Sequence, residues 1–356
     1  MRAKLEDVCV RGSSNLKQSD VIDKTGEYPI YGAAGYIGNV DFYHQDQPYV
    51  AVVKDGAGIG RTSLYPAESS VIGTMQYLLP KENVLPEYLC YVVKYMHLEK
   101  YFTGATIPHI YFKDYKKEEF NLDTLDRQKE IVNILGRIEC VISSRQQELQ
   151  KLDELIKARF VELFGDPDNN EKSWDIDKME HLCEVGSSKR IYQNEQSMEG
   201  APFLRISDLV NRIDTGSKKC DSYIPIEKFA ELKEQGLVPR PGDILLTARG
   251  TLGRCYIVQS DDEFYFQDGM ITWLSNYDRR ITALYISYLF EMPGFRKQID
   301  ALQAGSTVAY MSISMTKKLN IIVPPIELQN QFADFVKQVD KSKVAVQKAL
   351  EKTQLL

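Results

Sequence analysis

Two sets of basic, polar and aromatic residues on predicted turns are the side chains of this sequence best suited to chemical recognition. The set in the N-terminal half comprises Tyr28, Tyr31, Lys54, Arg61, Gln76 and His109. The set in the C-terminal half comprises Arg205, Ser207, Arg249, Arg254, Gln267 and Tyr310. Lysine and arginine suit guanine edges or phosphates, glutamine suits adenine, and aromatic side chains contact thymine methyls or stack on bases. The two sets therefore predict a nucleic-acid contact in each half of the chain.

Each of these residues also has an ordinary structural explanation. A single arginine on a turn is more often a surface charge or an ion-pair partner than a base contact. Tyr31 and Tyr310 have the alternative of packing against their own sheets. Only the grouping of the residues favours recognition.

The motifs that would indicate catalysis are missing. The glycines of residues 56–62 resemble a phosphate-binding loop, but the lysine of that loop is absent and the spacing differs, so a tight turn between strands is the better prediction. The glycines of residues 32–38 do not fit the G-x-G-x-x-G fingerprint. Neither G-x-S-x-G nor H-E-x-x-H occurs. We therefore expect a binding protein and no enzyme, with no catalytic residues of its own.

Composition limits the other classes of function. The chain has 356 residues, 43% of them hydrophobic and 26% charged, which is enough for two or three globular domains. The net charge of −6 argues against a uniformly basic DNA-binding protein, so any DNA-binding surface must be local. Six cysteines and four histidines show no metal-ligand spacing, so we expect no metal site.

No apolar run approaches the roughly 18 residues that a membrane-spanning helix needs. The N-terminal residues lack the apolar region of a signal peptide. We therefore expect a cytoplasmic protein without a membrane partner.

The sequence contains an internal repeat. Ile59-Gly60-Arg61 aligns with Leu252-Gly253-Arg254 at an offset of 193, and residues 88–91 align with residues 285–288 at an offset of 197. Thr106 with Thr307 and Gln128 with Gln329 align at an offset of 201. Residues 5–9 pair more loosely with residues 179–183 at an offset of 174. Matches in the same order, with offsets that grow slowly, indicate duplication followed by divergence. Each half shows short β-rich runs and short helices, followed by a long helix, which indicates mixed α/β domains.

The two long helices carry coiled-coil patterns. In the first helix, alternating steps of four and three residues give a mostly apolar seam. Its positions are Ile131, Leu135, Ile138, Ile142, Arg145, Leu149, Leu152, Ile156, Arg159 and Leu163. The corresponding seam of the second helix is Phe332, Val336, Val339, Lys343, Val346, Leu350 and Thr353. The natural partner of each helix is the other helix. Their polar seam residues either mark a solvated edge or fix the register and receive a partner subunit.

The order and duplication of several motifs resemble the specificity subunit (S subunit) of type I restriction-modification systems over essentially the whole chain. The motifs are Tyr28-Pro29-Ile30-Tyr31-Gly32, residues 104–108 with their counterpart 305–308, residues 160–167, Gly242-Asp243-Ile244-Leu245 leading to Arg249-Gly250, and Pro324-Pro325 followed by Gln329. The first repeat departs from the pattern because Asp123-Thr124 stands where the second has the two prolines.

The resemblance implies an α/β fold with two similar target recognition domains in tandem, separated by long antiparallel coiled-coil helices that are related by a pseudo-two-fold repeat. On this basis we place target recognition domain 1 at residues 1–124 and the central helix at residues 125–165. Target recognition domain 2 follows at residues 166–325 and the C-terminal helix at residues 326–356.

The resemblance also implies a function. Each domain would read one half of a bipartite double-stranded DNA target, and the helices would dock two methyltransferase (M) subunits, with restriction (R) subunits completing the nuclease. S-adenosylmethionine would be bound by the M subunits and ATP by the R subunits, so this chain would hold no cofactor. Two alternatives stay open: a protein-interaction scaffold with two binding domains on a coiled-coil spacer, and an enzyme whose site is too dispersed to recognise.

Overall fold

The computed structural model describes residues 1–104, 107–301 and 309–355. The predicted motif pair around Thr106 and Thr307 therefore lies largely outside the described residues. The chain divides into two compact units, residues 1–143 and residues 144–356. Both units contain sheets and helices, and the predicted mixed α/β fold with two similar domains in tandem is confirmed.

The described residues of unit 1 form nine strands, three short α-helices and the first part of a long helix. In chain order these are β1 (Arg2–Lys4), α1 (Leu5–Val8), β2 (Cys9–Ser13), β3 (Tyr28–Gly32), β4 (Gly35–Val40), β5 (Tyr49–Val53), β6 (Thr62–Tyr65), β7 (Ser70–Val71), β8 (Met75–Pro80), α2 (Pro86–Tyr95), α3 (Phe112–Tyr115), β9 (Glu119–Asn121) and α4 (Leu125–Phe164).

Unit 2 contains the rest of α4, followed by a second series of strands and helices. These are β10 (Asp175–Lys178), α5 (Met179–Leu182), β11 (Glu184–Gly186), β12 (Ala201–Leu204), α6 (Ile206–Thr215), β13 (Tyr223–Ile224), α7 (Ile226–Glu234), β14 (Ile244–Thr247), β15 (Cys255–Ile257), β16 (Tyr265–Phe266), β17 (Ile271–Ser275), α8 (Ala283–Leu289), α9 (Pro293–Ala301), α10 (Ile313–Lys317), β18 (Asn320–Val323) and α11 (Ile326–Gln354).

The two units share one topology. Each has an antiparallel four-stranded sheet, in the order β2-β8-β5-β6 in unit 1 and β11-β17-β14-β15 in unit 2. Each also has a three-stranded sheet with one parallel pair, β4-β3-β7 and β13-β12-β16, and a two-stranded sheet, β1-β9 and β10-β18. The inner strand β5 is buried along its whole length because both faces of its sheet are covered. Val50 and Val52 pack with helix α2 on one face, and Tyr49, Ala51 and Val53 pack in a second cluster with Val71 on the other. The repeat that the sequence indicates is therefore a repeat of structure.

The repeat extends to individual buried hydrogen bonds at the start of each long helix. In unit 1, the Gln128 side chain accepts a bond from the backbone N–H of Leu85 and donates to the carbonyls of Asn83 and Asp123. In unit 2, the counterpart Gln329 does the same. It accepts from the N–H of Thr282 at 2.9 Å and donates to the carbonyls of Arg280 and Pro324, each at 2.9 Å. Each glutamine therefore ties the start of a long helix to the loop before α2 or α8 and to the segment that follows strand β9 or β18.

We expect Gln329→Ala to lower the free energy of unfolding of unit 2 by about 2 kcal/mol, because it leaves buried backbone groups without partners. Both tryptophans, Trp174 and Trp273, lie in unit 2, so urea unfolding followed by tryptophan fluorescence reports on this unit. Gln331→Ala, an exposed position on the same helix, is the matched control. Equal midpoints for the two variants would contradict the assigned role.

The second part of α4 pairs antiparallel with α11 inside unit 2. Phe164 lies 5.6 Å from Phe332 between ring centroids, whereas Lys343, eleven positions later in α11, forms an ion pair with Asp153 of α4 at 2.6 Å. The contact residue moves toward the start of α4 as it moves toward the end of α11. The two helices therefore run in opposite directions. The polar seam position Lys343 therefore makes a contact between the helices, which favours its role in register.

The predicted seam is buried most completely in this antiparallel pair. Its buried members are Ile156, Phe332, Val336, Val339, Val346 and Leu350, while Leu149 and Leu152 are partly buried. Arg145 pairs with Glu148 of its own helix. In the first part of α4, Ile131 packs against the core of unit 1, and Leu135, Ile138 and Ile142 are partly buried.

Helix α4 ends where the sequence predicts a stop. Gly165 adopts a φ of 81°, a left-handed conformation that glycine reaches without a steric penalty, and its N–H bonds to the Val161 carbonyl. Among the described residues, no helix is both long and apolar enough to span a bilayer.

Candidate nucleic-acid interface

The same pair of backbone segments is joined in each unit beside its four-stranded sheet. In unit 1, the N–H of Ile110 donates to the Lys54 carbonyl at 2.9 Å, and Asp55 and His109 form a β-bridge. In unit 2, the N–H of Met311 donates to the Ala248 carbonyl at 3.0 Å, and Arg249 and Tyr310 form the corresponding bridge. Predicted site residues from distant parts of the sequence thus meet at equivalent positions, with different side chains in the two units.

Lys54 and His109 converge on one carboxylate in unit 1. The Nδ1 atom of His109 lies 2.7 Å from Oδ1 of Asp55, and the Lys54 ammonium contacts Oδ2. Partial burial alone would raise the pKa of the Asp55 carboxyl, but the hydrogen bonds from Lys54 and His109 outweigh it and lower the pKa. The carboxylate therefore stays ionised and orients the imidazole, whose Nε2 atom has no part in this hydrogen bond.

The glycine-rich segment before Arg61 forms the turn between β5 and β6. The N–H of Gly60 donates to the Val53 carbonyl at 2.9 Å, and Gly56 and Gly60 have positive φ values of 94° and 81°. Arg61 is exposed and donates from Nη1 to the Ala33 carbonyl at 3.0 Å. This arginine therefore spans from its own turn to the β3–β4 turn.

The predicted tyrosines of unit 1 belong to an aromatic surface on β3. Tyr31 stacks on Tyr65 with ring centroids 3.8 Å apart, and Tyr28 meets Tyr43 edge-on at 4.8 Å. Partial burial raises the pKa of Tyr31, and the neighbouring Tyr65 raises it further by a smaller amount. The Tyr31 ring therefore packs against Tyr36 of its own sheet and, more closely, against Tyr65 of β6 in the four-stranded sheet.

Gln76 is not positioned to contact a nucleic acid. It lies within β8, is 1% exposed, and its amide donates to the Tyr115 hydroxyl in the interior of unit 1. The sequence places it on a turn, whereas the structure pairs it with Ser13 and Val52 of the neighbouring strands. A buried amide needs an internal partner, and this contact supplies one.

In unit 2, Arg249 and Tyr310 form an exposed pair. The guanidinium carbon of Arg249 lies 5.1 Å from the centroid of the Tyr310 ring, a cation–π geometry. The residue Tyr310 remains 37% exposed. The arginine is thus held in position by the ring while its side chain stays accessible to solvent.

A shallow groove of about 640 Å³ adjoins Arg249 and includes the predicted residue Ser207 in its wall. Asp214, on the same wall, binds Arg254: Nη1 of the arginine lies 3.1 Å from Oδ2, and Nη2 contacts Oδ1. The hydrogen bond from Arg254 lowers the pKa of Asp214. The guanidinium of Arg254 is therefore already engaged within its own unit.

The backbone of Gln267 is bonded to the end of β12, directly before Arg205, on a neighbouring edge of unit 2. The N–H of Gln267 donates to the carbonyl of Leu204, the residue before Arg205, at 2.9 Å. Arg205 is exposed at the start of α6. Three residues after Gln267, the Met270 carbonyl accepts a bond from Ala248, so a single loop connects this edge to Arg249.

Several exposed residues beside the two clusters are absent from the sequence-based set. Tyr36 is 64% exposed and lies 6.1 Å from Tyr31, and Tyr111 is 50% exposed beside His109. Arg190 is exposed and pairs with Asp268 at 3.0 Å. Tyr36 follows the recognised Tyr28–Gly32 strand by four residues, which is a usable signal, whereas the pairing of Arg190 depends on the fold. Within the described ranges, no group of three metal-ligating residues occurs.

Comparison with known proteins gives a consistent result. A family model described as the type I restriction modification DNA specificity domain matches residues 1–154 and again residues 171–355. A type I restriction enzyme specificity subunit of Haemophilus influenzae is 25% identical over 88% of this chain and 80% of its own length. The type I restriction enzyme MjaVIII specificity subunit of Methanocaldococcus jannaschii is 23% identical over 85% of this chain and 76% of its own length.

Two solved structures share the fold. The S subunit of a type I restriction-modification system from M. genitalium aligns with a TM-score of 0.61, covering 100% of this chain and 93% of that one at 14% identity. A chain from a study of complex assembly and conformational transition of the type I R-M system aligns with a TM-score of 0.57, with the same coverage and identity. At this identity the likeness concerns the fold alone.

Proposed function

Because the chain belongs to the type I restriction modification DNA specificity family, we propose that it is the non-catalytic DNA-recognition subunit of a type I restriction-modification complex. The observation that carries the proposal is the equivalent bridge in the two units, which bears Asp55 and His109 in one and Arg249 and Tyr310 in the other. The same backbone arrangement with different side chains suits two domains that each recognise a different half-site.

The chemistry of each cluster fits base recognition in the major groove. Arg249 offers a planar set of donors that matches the O6 and N7 acceptors of guanine, and Tyr310 offers an apolar face for a thymine methyl. In unit 1, His109 offers Nε2 while Asp55 fixes the ring through Nδ1. Arg61 and Arg205 are exposed and suit phosphates, which position the protein without reading sequence.

The remaining functions of the complex belong, on this proposal, to other subunits. Two M subunits dock on α4 and α11 and bind S-adenosylmethionine, and R subunits bind ATP and cleave. The M subunits also share the phosphate contacts, which accommodates the net charge of −6 on this chain.

The test is adenine methylation by the cognate M subunit with and without this chain. We expect sequence-specific methylation only when both are present, because M would supply the chemistry and this chain the target. The purified chain alone should neither methylate nor cleave DNA. Methyl transfer by the isolated chain would overturn the non-catalytic assignment, and methylation of the same sites by M alone would favour the scaffold alternative.

A further inference from the structure

The two units carry side chains of opposite hydrogen-bonding polarity at one equivalent position. Their β-bridges make Asp55 of unit 1 the counterpart of Arg249 in unit 2, and His109 the counterpart of Tyr310. A guanidinium can only donate hydrogen bonds, whereas an ionised carboxylate can only accept them. Unit 1 therefore has an acceptor where unit 2 has a donor.

The Asp55 carboxylate is bonded within its own unit through both oxygens. Its Oδ1 atom lies 2.7 Å from Nδ1 of His109, and its Oδ2 atom contacts the Lys54 ammonium. The influence of Asp55 on a bound base is therefore transmitted through the imidazole of His109.

This contact fixes which nitrogen of His109 carries the proton. Because the lowered pKa of Asp55 keeps its carboxyl ionised, the carboxylate can only accept, and Nδ1 of His109 must donate. In the neutral imidazole, a proton on Nδ1 leaves Nε2 as a hydrogen-bond acceptor. Among the described residues, Nε2 makes no hydrogen bond, so this acceptor is available to a ligand.

The His109 backbone is fixed while its side chain stays accessible. His109 and Thr103 exchange two backbone hydrogen bonds of 2.8 Å each, and His109 also forms the bridge with Asp55. The His109 side chain is 37% exposed. Unit 1 therefore presents one acceptor at a defined position, and little conformational freedom is lost when a ligand binds there.

We infer that unit 1 recognises its base through the Nε2 acceptor of His109 and requires the exocyclic amino group of adenine or cytosine. In the major groove these amino groups are the hydrogen-bond donors of the bases, whereas guanine presents the acceptors O6 and N7. Unit 2 has the opposite requirement, for guanine acceptors, through Arg249. Asp55 is the positioning residue that sets the polarity in unit 1. The inference rests on the proposed function and deepens it by naming the chemical group that each unit selects.

Base analogues are needed to test this inference, because every base pair presents both an amino group and acceptors in the major groove. The tested position is the base pair that His109→Ala no longer selects in a map of methylated sites. One duplex carries purine for adenine, or 2-pyrimidinone for cytosine, which removes the amino group. A second duplex carries a 7-deazapurine, which removes the N7 acceptor. The affinity of the complex between this chain and its cognate M subunit is measured for each duplex by competition.

We expect loss of the amino group to weaken binding of the parent complex about tenfold, and loss of N7 to change it by less than roughly twofold. With His109→Ala, the amino-free and unmodified duplexes should bind equally, which also corrects for any weakening of the base pair itself. Asp55→Asn should reduce the preference, because an amide both donates and accepts and no longer fixes the proton on Nδ1. Glu82→Gln makes the same carboxyl-to-amide change at an exposed residue beyond the opposite end of β8, and should keep the parental preference.

The base pair selected by Arg249 should show the reverse pattern. There, 7-deazaguanine should weaken binding and 2-pyrimidinone opposite guanine should not, and Arg249→Ala should remove the difference.

Three results in unit 1 would overturn the inference. Sensitivity to loss of N7 but not of the amino group would make a donor, Lys54 or a protonated His109, the group that contacts the base. An amino requirement of equal size in the parent and in His109→Ala would place the acceptor elsewhere. A His109→Ala variant that relaxes no base pair would remove His109 from base recognition. In all three cases sequence-specific methylation by the parent complex would persist, whereas failure of the proposed function would abolish it.

Discussion

Replacing Arg249 with alanine is expected to relax discrimination at one position of one half-site by about 1 to 3 kcal/mol, or roughly 5- to 150-fold, and to leave the other half-site unchanged. Arg249 is exposed, and the Tyr310 ring 5.1 Å away fixes its guanidinium. A positioned guanidinium loses little freedom when it binds a base edge, so its removal should act on base selection.

The measurement is a map of methylated sites, made with the cognate M subunit and the variant chain. His109→Ala is the reciprocal variant and should relax the half-site that Arg249→Ala leaves intact. Arg254→Ala is the matched control, because the Arg254 guanidinium is already bound to Asp214. It should preserve the specificity of both half-sites and act through the stability of unit 2.

Two outcomes would contradict this assignment. A uniform loss of affinity across all sequences would make Arg249 a phosphate contact. Equal relaxation of both half-sites would contradict a division of recognition between the two units.

The repeat could be predicted from sequence because it is maintained by positions whose partners are mostly backbone atoms. Gln128 and Gln329 each satisfy buried backbone groups before a long helix, so the same residue type is needed twice. The helix end at Gly165 is similarly local, since a left-handed residue needs no distant partner. Features of this kind can be recognised from the residue types in one sequence.

The candidate site could be predicted only in part, because its side chains depend on contacts between distant segments. His109 contacts Asp55, which lies 54 positions earlier in the sequence, and no spacing pattern indicates that pair. The sequence-based set includes Lys54 and His109 but does not identify the Asp55 carboxylate that joins them. Gln76 illustrates the opposite case: its residue type suggests an exposed recognition residue, but it lies in the buried strand β8, where the Tyr115 hydroxyl accepts a hydrogen bond from its amide.

A change in the length of helix α4 is expected to change the distance between the two half-sites of the DNA target. Its first part carries contacts of unit 1 as far as Glu139, which accepts a hydrogen bond from Tyr91 at 2.8 Å. Arg159 lies next to the Phe160 aromatic cluster and over the Phe335 ring, so an insertion there would disrupt unit 2. An insertion after the exposed Cys140 avoids both sets of contacts.

Four residues inserted after Cys140 are expected to lengthen the unread spacer of the target by one or two base pairs and to leave both half-sites unchanged. Four helical residues add about 6 Å and turn the following segment by about 400°, which is about 40° past one full rotation. Duplex DNA advances about 3.4 Å per base pair, so the added length corresponds to that change in spacer. A two-residue insertion is the control for rotation, because it turns the following segment by about 200° and should abolish methylation. Methylated sites mapped across a genome would give both half-sites and spacer directly. An active four-residue variant with the parental spacer would show that α4 does not set the distance between the reading domains.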